Sequence, residues 1–329
     1  MNNKIKKKMK AYLGIDVGSV STNVVCTDEN KNIIETLYIR TRGEPLRSVK
    51  SGLKQIQTRL PDDIEIKGVG VTGSARYLIG AMVGADIIKN EITSHAIAGI
   101  HTDKNVRTII EIGGQDSKII VINDGIVTDF AMNNVCAAGT GSFLDQQSAR
   151  LSIPIEDFGA RAIESEADVN IAGRCTVFAE SDMIHKQQLG YSINDIINGL
   201  CMALVRNYFN SVGKGKVIKD TILFQGGVAA NIGIRRAFET YLKKKITIPK
   251  YFNVMGAFGS SILAIEKTKN FKKKEKTKFK GFKLTNHKFK TTSFKCTDCP
   301  NNCEVIEFWE DKKKIAIFGD KCTKHNNSL

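Results

Sequence analysis

Residues 12–27 are YLGIDVGSVSTNVVCT, the stretch that decides the fold. Apolar, mostly β-branched residues flank a short turn of Gly, Ser and Asp, which predicts a strand, a tight turn and a second strand; Ile33–Ile39 supplies a third. Glycine lets backbone N–H groups approach a phosphate, and the hydroxyls of Ser19 and Ser21 add donors. Asp16, at the strand end, is placed to hold water on Mg²⁺. The alternative is an ordinary hairpin with a polar tip.

Two further stretches carry the same kind of glycine-rich turn. Residues 108–122 are TIIEIGGQDSKIIVI, again a turn between apolar strands, and the NDG turn at 123–125 leads to another strand at Ile126–Phe130. Residues 221–231 are TILFQGGVAAN, which predicts a buried strand running into Gly-Gly and then a helix. Such a turn suits a nucleotide base and ribose lying against exposed backbone. Three turns in this order are a much stronger indication than one.

Two cysteines stand immediately ahead of predicted helices. Cys136 lies in NNVCAAGTGSFLD, residues 133–145, before a helix expected over Ser142–Leu151. Cys175 lies in IAGRCTVFAESDM, residues 171–183. A helix N-terminus presents free N–H groups and the positive end of the dipole, so it favours a thiolate or an anionic cluster. The alternative is two small buried apolar residues, because free cysteine is often buried.

Composition indicates a globular chain large enough for two domains. The chain has 329 residues, 42% hydrophobic and 25% charged, and eight cysteines. It has no apolar run of membrane-spanning length and no apolar stretch behind its basic start, so we expect a cytoplasmic protein without a membrane segment. In that compartment, cysteines favour metal or redox chemistry over disulfides.

The net charge of +15 is concentrated at the two ends. The first ten residues hold five Lys, and residues 266–329 hold 17 Lys against eight acidic residues. The body between them is therefore nearly neutral. Lys-rich ends of this kind are solvated linkers or docking surfaces for an acidic partner, and no base-reading motif supports specific nucleic-acid binding.

The three turns resemble the phosphate-1, phosphate-2 and adenosine motifs of the superfamily that contains actin, the sugar kinases and the heat-shock ATPases. This resemblance implies an α/β fold of two domains, each with a five-stranded mixed sheet flanked by helices, closing on Mg-ATP in the cleft between them. Met255–Ala264 resembles the last connecting helix of that fold, where small residues allow close helix packing.

With the cysteines, the chain resembles the activator (archerase) component of 2-hydroxyacyl-CoA dehydratases and the ATPase subunits of benzoyl-CoA reductase. The motifs GVTGS at 70–74 and NEITSHA at 90–96 also fit, and the resemblance covers residues 11–265. It implies a homodimer with one [4Fe–4S] cluster bridging the subunits, to which each chain supplies Cys136 and Cys175. Four thiolates satisfy such a cluster, and one chain holds half of them.

The resemblance further implies an ATP-driven, low-potential one-electron donor. ATP hydrolysis rotates the subunits, a ferredoxin or flavodoxin is the upstream donor, and a 2-hydroxyacyl-CoA dehydratase or related iron–sulfur reductase is the partner. Asp16 and Asp116 would hold Mg²⁺ or orient water, and Gln115 would assist. The residues expected to contact nucleotide are Gly18, Ser19, Ser21, Gly113, Gly114, Ser117, Gly226, Gly227 and Asn231.

Two other functions remain open from the sequence. One is a small-molecule kinase of the same fold, acting on a sugar or carboxylate, with structural cysteines. The other is a redox sensor that uses nucleotide only as a clamp. The roles of His95, Glu91 and Glu180 are also open: a hydrogen-bonded helix histidine and ordinary helix charges are the first interpretation. Cys26 and Cys201 are expected in the core.

The C-terminal part differs in composition from the body. Residues 266–292 are a predicted Lys-rich linker, and residues 293–329 a predicted small four-cysteine ribbon. The four thiols, with three close together and one after a hairpin, predict structural Zn²⁺ or a second iron–sulfur centre. We expect this module to be tethered and to dock a partner. Its candidate ligands are Cys296, Cys299, Cys303 and Cys322.

Overall fold

The computed structural model describes residues 8–172, 175–272, 275–322 and 324–325. The chain forms two compact units: unit 1 combines the residues up to Ile97 with those from Gly256 onward, and unit 2 is Ala98–Met255. Gly173 and Arg174 of the second cysteine motif lie outside the described residues, as do the first seven residues of the basic N-terminus.

Unit 1 contains a mixed five-stranded sheet and a smaller antiparallel sheet. The large sheet and its helices comprise β1 (Met9–Val17), β2 (Ser21–Asp28), β3 (Ile33–Arg40), α1 (Pro45–Arg59), β4 (Ile64–Thr72), α2 (Arg76–Val83) and β5 (Ile87–Ile88). Most of α3 (Glu91–Thr102) and most of α9 (Met255–Lys269) also belong to unit 1. The small sheet comprises β10 (Phe289–Lys295), β11 (Glu304–Glu310) and β12 (Lys313–Phe318). The larger sheet has the order β3-β2-β1-β4-β5. β1, β2 and β3 are antiparallel, whereas β1, β4 and β5 are parallel. The predicted strand–turn–strand at residues 12–27 is therefore confirmed.

The C-terminal segment packs against the rest of unit 1. Phe308 and Ala316, on β11 and β12, belong to the same buried apolar cluster as the large sheet. Within the predicted linker 266–292, the Thr277 hydroxyl donates to Asp86 Oδ2 at 2.6 Å. These contacts contradict a free tether, because the burial of apolar side chains and the hydrogen bond to Asp86 fix the segment to the rest of unit 1.

Unit 2 is a four-stranded sheet with helices. Its elements are β6 (Thr108–Ile112), β7 (Ser117–Asn123), β8 (Ile126–Asn133), α4 (Gly141–Arg150), α5 (Ile155–Ile163), α6 (Thr176–Gln188), α7 (Ile193–Tyr208), β9 (Ile222–Gln225) and α8 (Ile232–Leu242). The strand order is β8-β7-β6-β9, with β6 and β9 parallel. In the described part, the expected fifth strand is reduced to one parallel bridge between Leu223 and Thr247. Pro249 follows two residues later and cannot donate to a ladder.

Two cysteines lie in the apolar cores, one in each unit. Cys26 on β2 and Cys201 on α7 are both fully buried, as predicted, and burial raises the pKa of each thiol to about 12. Both therefore stay protonated and unreactive at neutral pH. Within the described ranges, no helix is long and apolar enough to cross a membrane.

A network around Asp195 fixes the start of α7. The Ser192 hydroxyl donates to Asp195 Oδ2 at 2.6 Å, and Oδ1 accepts from Ser165 Oγ at 3.0 Å and from the backbone N–H groups of Glu166 and Ala167 at 2.9 Å each. These bonds, first that from Ser192 and then that from Ala167, hold the pKa of Asp195 well below its usual range. The carboxylate joins the helix to the loop that leads toward Cys175.

We expect Asp195→Ala to lower the free energy of unfolding by about 1–2 kcal/mol at neutral pH, because it removes a helix cap and several bonds to a charged acceptor. The folded-state pKa lies below the unfolded value of about 3.9, so this stabilisation is complete above that value and is lost as pH falls toward the folded pKa. Urea unfolding of the parent and the variant between pH 7 and pH 3 measures this difference in the free energy of unfolding. A difference that stays constant down to pH 3, or one matched by the control Asp220→Ala, would contradict it.

Lys118 on β7 is a buried cation with two carboxylate partners. Its side chain is 2% exposed, and Nζ donates to Glu111 Oε2 and Asp116 Oδ2, each at 2.8 Å. The Tyr208 hydroxyl donates to the Lys118 carbonyl at 2.8 Å, and burial raises the pKa of Tyr208, which keeps that hydroxyl protonated. The Lys118 ammonium, its two carboxylates and the Tyr208 hydroxyl are therefore all hydrogen-bonded.

Replacing Lys118 measures its contribution to the stability of the fold. Lys118→Met should reduce the free energy of unfolding by about 3–5 kcal/mol, because Glu111 and Asp116 lose the cation that compensates them. The exposed pair Lys244–Asp220 provides the control, and Lys244→Met should cost less than about 1 kcal/mol. Denaturant midpoints at neutral pH compare the two. Equal losses would show that Lys118 is no more important than a surface lysine.

Candidate nucleotide and cluster sites

The first glycine-rich turn joins β1 to β2 in unit 1 and is fixed by hydrogen bonds to Gly18. The Gly18 N–H donates to the Ser21 carbonyl at 2.9 Å, and the Thr41 hydroxyl donates to the Gly18 carbonyl at 2.9 Å. Ser19 is exposed, and Gly18 and Ser21 are partly exposed. Both backbone polar groups of Gly18 are therefore bonded already, and the hydroxyls of Ser19 and Ser21 are the donors that the turn can offer to a phosphate.

Asp16 lies beside a histidine in unit 1. A methyl group on Gly256 would lie 2.1 Å from Asp16 Oδ2 and 3.1 Å from His95 Nε2, so both side chains reach the same point at the start of α9. Only glycine permits this approach, because Cβ atoms do not come so close to other heavy atoms. His95 is buried on α3, whose first residue is Glu91. The sequence did not link His95 with Asp16.

The second turn, between β6 and β7 in unit 2, is closed on itself. The Gly113 N–H donates to the Asp116 carbonyl at 3.0 Å, and Lys118 holds Asp116 Oδ2. Gln115 is exposed at its tip. The Ser117 hydroxyl is buried and has no hydrogen-bond partner among the described residues. A buried polar group of this kind normally has a partner, which a bound nucleotide with its water would provide.

The third turn follows β9 and requires a glycine. Gly226 has a φ of 90°, and a Cβ there would lie 2.2 Å from the Ile112 carbonyl oxygen. Gly227 begins a short 3₁₀ helix, Gly227–Ala230. Asn231 caps α8, because its Oδ1 accepts from the Ile234 N–H at 3.0 Å. Asn231 Nδ2 is buried without a partner in the described part, so the residue combines a structural role with a donor that remains available.

Cys136 is exposed and lies in a loop shaped by Asn133. The Asn133 amide donates to the Cys136 carbonyl at 2.7 Å and accepts from the Cys136 N–H at 3.0 Å. Cys136 then caps a short 3₁₀ helix, Ala137–Gly139, which precedes α4. The predicted placement ahead of a helical segment is correct. Asn is a common turn residue, so Asn133, three residues before the cysteine, is a sequence signal that could have predicted these two hydrogen bonds to Cys136.

Cys175 is exposed and is the N-cap residue of α6. α4 braces the start of that helix: Gln147, which is fully buried, donates from Nε2 to the Thr176 carbonyl at 3.2 Å. Arg150 at the end of α4 forms an ion pair with Glu180 on α6. This pair gives Glu180 the role that the sequence left open, and no sequence signal pointed to Gln147.

The first turn of α4 is hydrogen-bonded to the second glycine turn. The Gly141 N–H donates to the Gly113 carbonyl at 2.9 Å, and the Ser142 N–H donates to the Gly114 carbonyl at 2.8 Å. The Ser142 hydroxyl also donates to the Gly114 carbonyl, at 2.5 Å. Three bonds thus join the predicted phosphate-2 turn to the helix that follows Cys136 and braces Cys175.

The C-terminal thiols have unequal environments. Cys296 and Cys303 are buried, Cys299 is half-buried and Cys322 is exposed. Among the described residues, the donor atoms of Cys296, Asp298 and His325 lie within 4.8 Å of one another, and the other three thiols are outside that group. His325 is thus a candidate ligand that the four-cysteine prediction missed.

The known proteins with similar sequences include activators of 2-hydroxyacyl-CoA dehydratases. The (R)-2-hydroxyglutaryl-CoA dehydratase activating ATPase of Acidaminococcus fermentans is 33% identical over 260 residues, covering 78% of this chain and 97% of that protein. The 2-hydroxyisocaproyl-CoA dehydratase activator of Clostridioides difficile is 31% identical, with 80% and 98% covered. One of the subunits of benzoyl-CoA reductase from Thauera aromatica is 23% identical, covering 52% of this chain and 63% of that protein.

A solved structure of the same class has the same fold. The activator of 2-hydroxyisocaproyl-CoA dehydratase from Clostridium difficile, with bound ADPNP, aligns with a TM-score of 0.71 at 31% identity, covering 79% of this chain and 96% of that one. Residues 13–264 match the BadF/BadG/BcrA/BcrD ATPase family, a range that holds all three glycine turns and both helix-capping cysteines. The chain therefore belongs to the BadF/BadG/BcrA/BcrD ATPase family.

Proposed function

We propose that this protein is an ATP-dependent one-electron donor that activates a 2-hydroxyacyl-CoA dehydratase or a related iron–sulfur reductase. One observation carries the proposal. Two exposed cysteines each precede a helical segment, and α4, between them in sequence, is hydrogen-bonded to the Gly113–Gly114 turn. The family match favours this activity over a small-molecule kinase, in whose phosphoryl transfer exposed thiols have no role.

The two thiols fit half of a [4Fe–4S] site. A cluster of this type takes four thiolates, so a second copy of the chain completes the set and the protein is a homodimer. Cys136 is the N-cap residue of the short 3₁₀ helix before α4, and Cys175 is the N-cap residue of α6, so both thiols are presented at exposed helix starts. Val135, immediately before Cys136, and Phe178, three residues after Cys175, are 93% and 69% exposed, which suits a surface covered by the second copy. When bound, the cluster supplies one electron at low potential.

Each glycine turn has a separate part in ATP binding. In unit 1, the hydroxyls of Ser19 and Ser21 donate to phosphate oxygens and Gly18 lets the phosphate approach the turn, while Asp16 would hold Mg²⁺ through water, with His95 alongside.

In unit 2, the Gly114 N–H and the Ser117 hydroxyl donate to phosphate beside Gly113, and Gly226, Gly227 and Asn231 face the adenosine. Lys118 fixes Asp116 Oδ2, so the free edge of that carboxylate orients the attacking water with help from Gln115.

The helix α4 couples the nucleotide turn to the cysteines. A displacement of the Gly113 and Gly114 carbonyls shifts the N-terminus of α4 through its hydrogen bonds. Gln147 transmits the shift to the start of α6 at Thr176. The orientation of the two thiolates therefore depends on whether ATP or ADP is bound. In the dimer, the same shift rotates one subunit against the other.

The partners follow from this activity. The acceptor is a low-potential iron–sulfur enzyme such as the dehydratases that the relatives activate. A ferredoxin or flavodoxin restores the electron after each transfer. Partner choice is determined by the exposed surface around Cys136 and Cys175.

Cysteine substitutions test the cluster proposal. In full-length protein purified without oxygen, Cys136→Ser or Cys175→Ser should abolish the iron–sulfur absorbance, which in the parent corresponds to about four iron atoms per dimer. Cys201→Ala is the control and should retain it, because that thiol is buried and its pKa is raised to about 12. Retention of the cluster after Cys136→Ser would refute the proposal.

A second prediction tests the coupling through α4. In the parent, ATP should change the rate at which a chelator removes iron. Ser142→Ala removes one hydrogen bond to Gly114, worth about 1 kcal/mol, so this ATP effect should fall about five-fold. Ser148→Ala is the matched control, because that hydroxyl bonds to the Asp145 carbonyl within α4. Equal ATP effects in the parent and in Ser142→Ala would exclude this route.

A further inference from the structure

The loop between β10 and β11 brings two buried cysteines opposite each other. Lys295 and Glu304 are the last paired residues of the two strands, and the Cys296 N–H donates to the Cys303 carbonyl at 2.8 Å. The ladder therefore continues by one pair, and directly opposite residues of antiparallel strands point to the same face. Both thiols join a small buried cluster with Val305 and Ile317.

The C-terminal loop brings an imidazole to the same place. His325 Nε2 lies 3.4 Å from Cys296 Sγ. Two ligands of one tetrahedral zinc ion, with Zn–S of about 2.3 Å and Zn–N of about 2.0–2.1 Å, are about 3.5 Å apart. The observed spacing matches that of two ligands sharing one ion.

His325 is held in this position by contacts of its own. Its backbone N–H donates to Asp320 Oδ2 at 2.6 Å, and its ring packs edge-on against Phe294 with the centroids 5.6 Å apart. Asp298 Oδ2 is 3.8 Å from Nε2, but Lys324 holds that oxygen at 2.5 Å. Asp298 is therefore a neighbour of the site that already has a partner.

The sequence spacing agrees with this geometry. Cys296 and Cys299 are separated by two residues, as are Cys322 and His325, and the β11–β12 hairpin lies between the two pairs. Two such pairs on either side of a hairpin are the spacing of a zinc ribbon or finger.

We propose that the ribbon binds one zinc ion through Cys296 and His325, with the two remaining thiolates from among Cys299, Cys303 and Cys322. Mixed nitrogen and sulfur ligands in a tetrahedral set select zinc, whereas a [4Fe–4S] centre takes four thiolates. The site is structural and does not relay electrons. It lies beyond residue 264, where the family match ends, and is independent of the nucleotide and cluster sites.

Metal analysis of the full-length chain tests the proposal. The background Cys136→Ser Cys175→Ser removes the proposed interface ligands, so that any bound metal belongs to the ribbon. This protein should contain about one zinc per chain and neither iron nor sulfide. The parent should contain the same zinc. Iron with sulfide in the background protein, or no zinc after incubation with zinc salt, would overturn the proposal.

Single substitutions then identify the ligands. Cys296→Ser and His325→Gln should each reduce bound zinc from about one per chain to near none. His287→Gln is the matched control, because that exposed histidine bonds Glu310 at the other end of the ribbon and should leave zinc unchanged. Of Cys299→Ser, Cys303→Ser and Cys322→Ser, two should lose zinc and one should retain it. Full zinc in His325→Gln would overturn the proposal and favour four thiolates.

A titration of the metal-free Cys136→Ser Cys175→Ser background with cobalt(II) covers the case in which a ribbon variant fails to fold. Thiolate–cobalt charge-transfer bands with the visible bands of a tetrahedral ion, saturating at one equivalent, support the site. An octahedral spectrum without thiolate bands contradicts it.

Discussion

The hydrogen bonds between the Gly113–Gly114 turn and the first turn of α4 are the constraint on which the rest of unit 2 depends. The first N–H groups of a helix have no partner within the helix. Here two of them, from Gly141 and Ser142, donate to the carbonyls of the turn. The turn and the helix therefore share one position, and neither can move without breaking or carrying these bonds. Cys136 lies just before this helix, and Gln147 extends the constraint to the residue after Cys175.

The buried Lys118 makes that turn a defined structure. Burying a cation costs desolvation energy that its attraction to two carboxylates only partly offsets, so the trio contributes little net stability compared with apolar residues of the same size. Its effect is on conformation. Lys118 bonds Asp116 from below, and the Asp116 carbonyl closes the turn on Gly113. A polar network that is satisfied in only one arrangement specifies that arrangement.

The C-terminal ribbon illustrates how a small sheet acquires a core. A three-stranded sheet of this size buries little apolar surface of its own. One end of this sheet buries Phe308 and Ala316 in the apolar cluster of unit 1. The other end has only Val305 and Ile317 around its two cysteines, and there a bound ion would replace the missing apolar contacts. The segment that the sequence presented as a tethered module is thus part of unit 1.

The sequence was enough to predict the strands around the three glycine turns, the helices after the two cysteines, the burial of Cys26 and Cys201, and the family. These features depend on local spacing: alternating apolar residues, glycine between strands, and small residues before a helix. Tertiary structure alone decided which distant residues meet. His95 beside Asp16, Gln147 under the start of α6, Glu180 paired with Arg150 and His325 beside Cys296 each join residues far apart in the chain, and no local pattern records such contacts. The reduced fifth strand and the anchored linker have the same cause, because both depend on packing partners that lie elsewhere in the sequence.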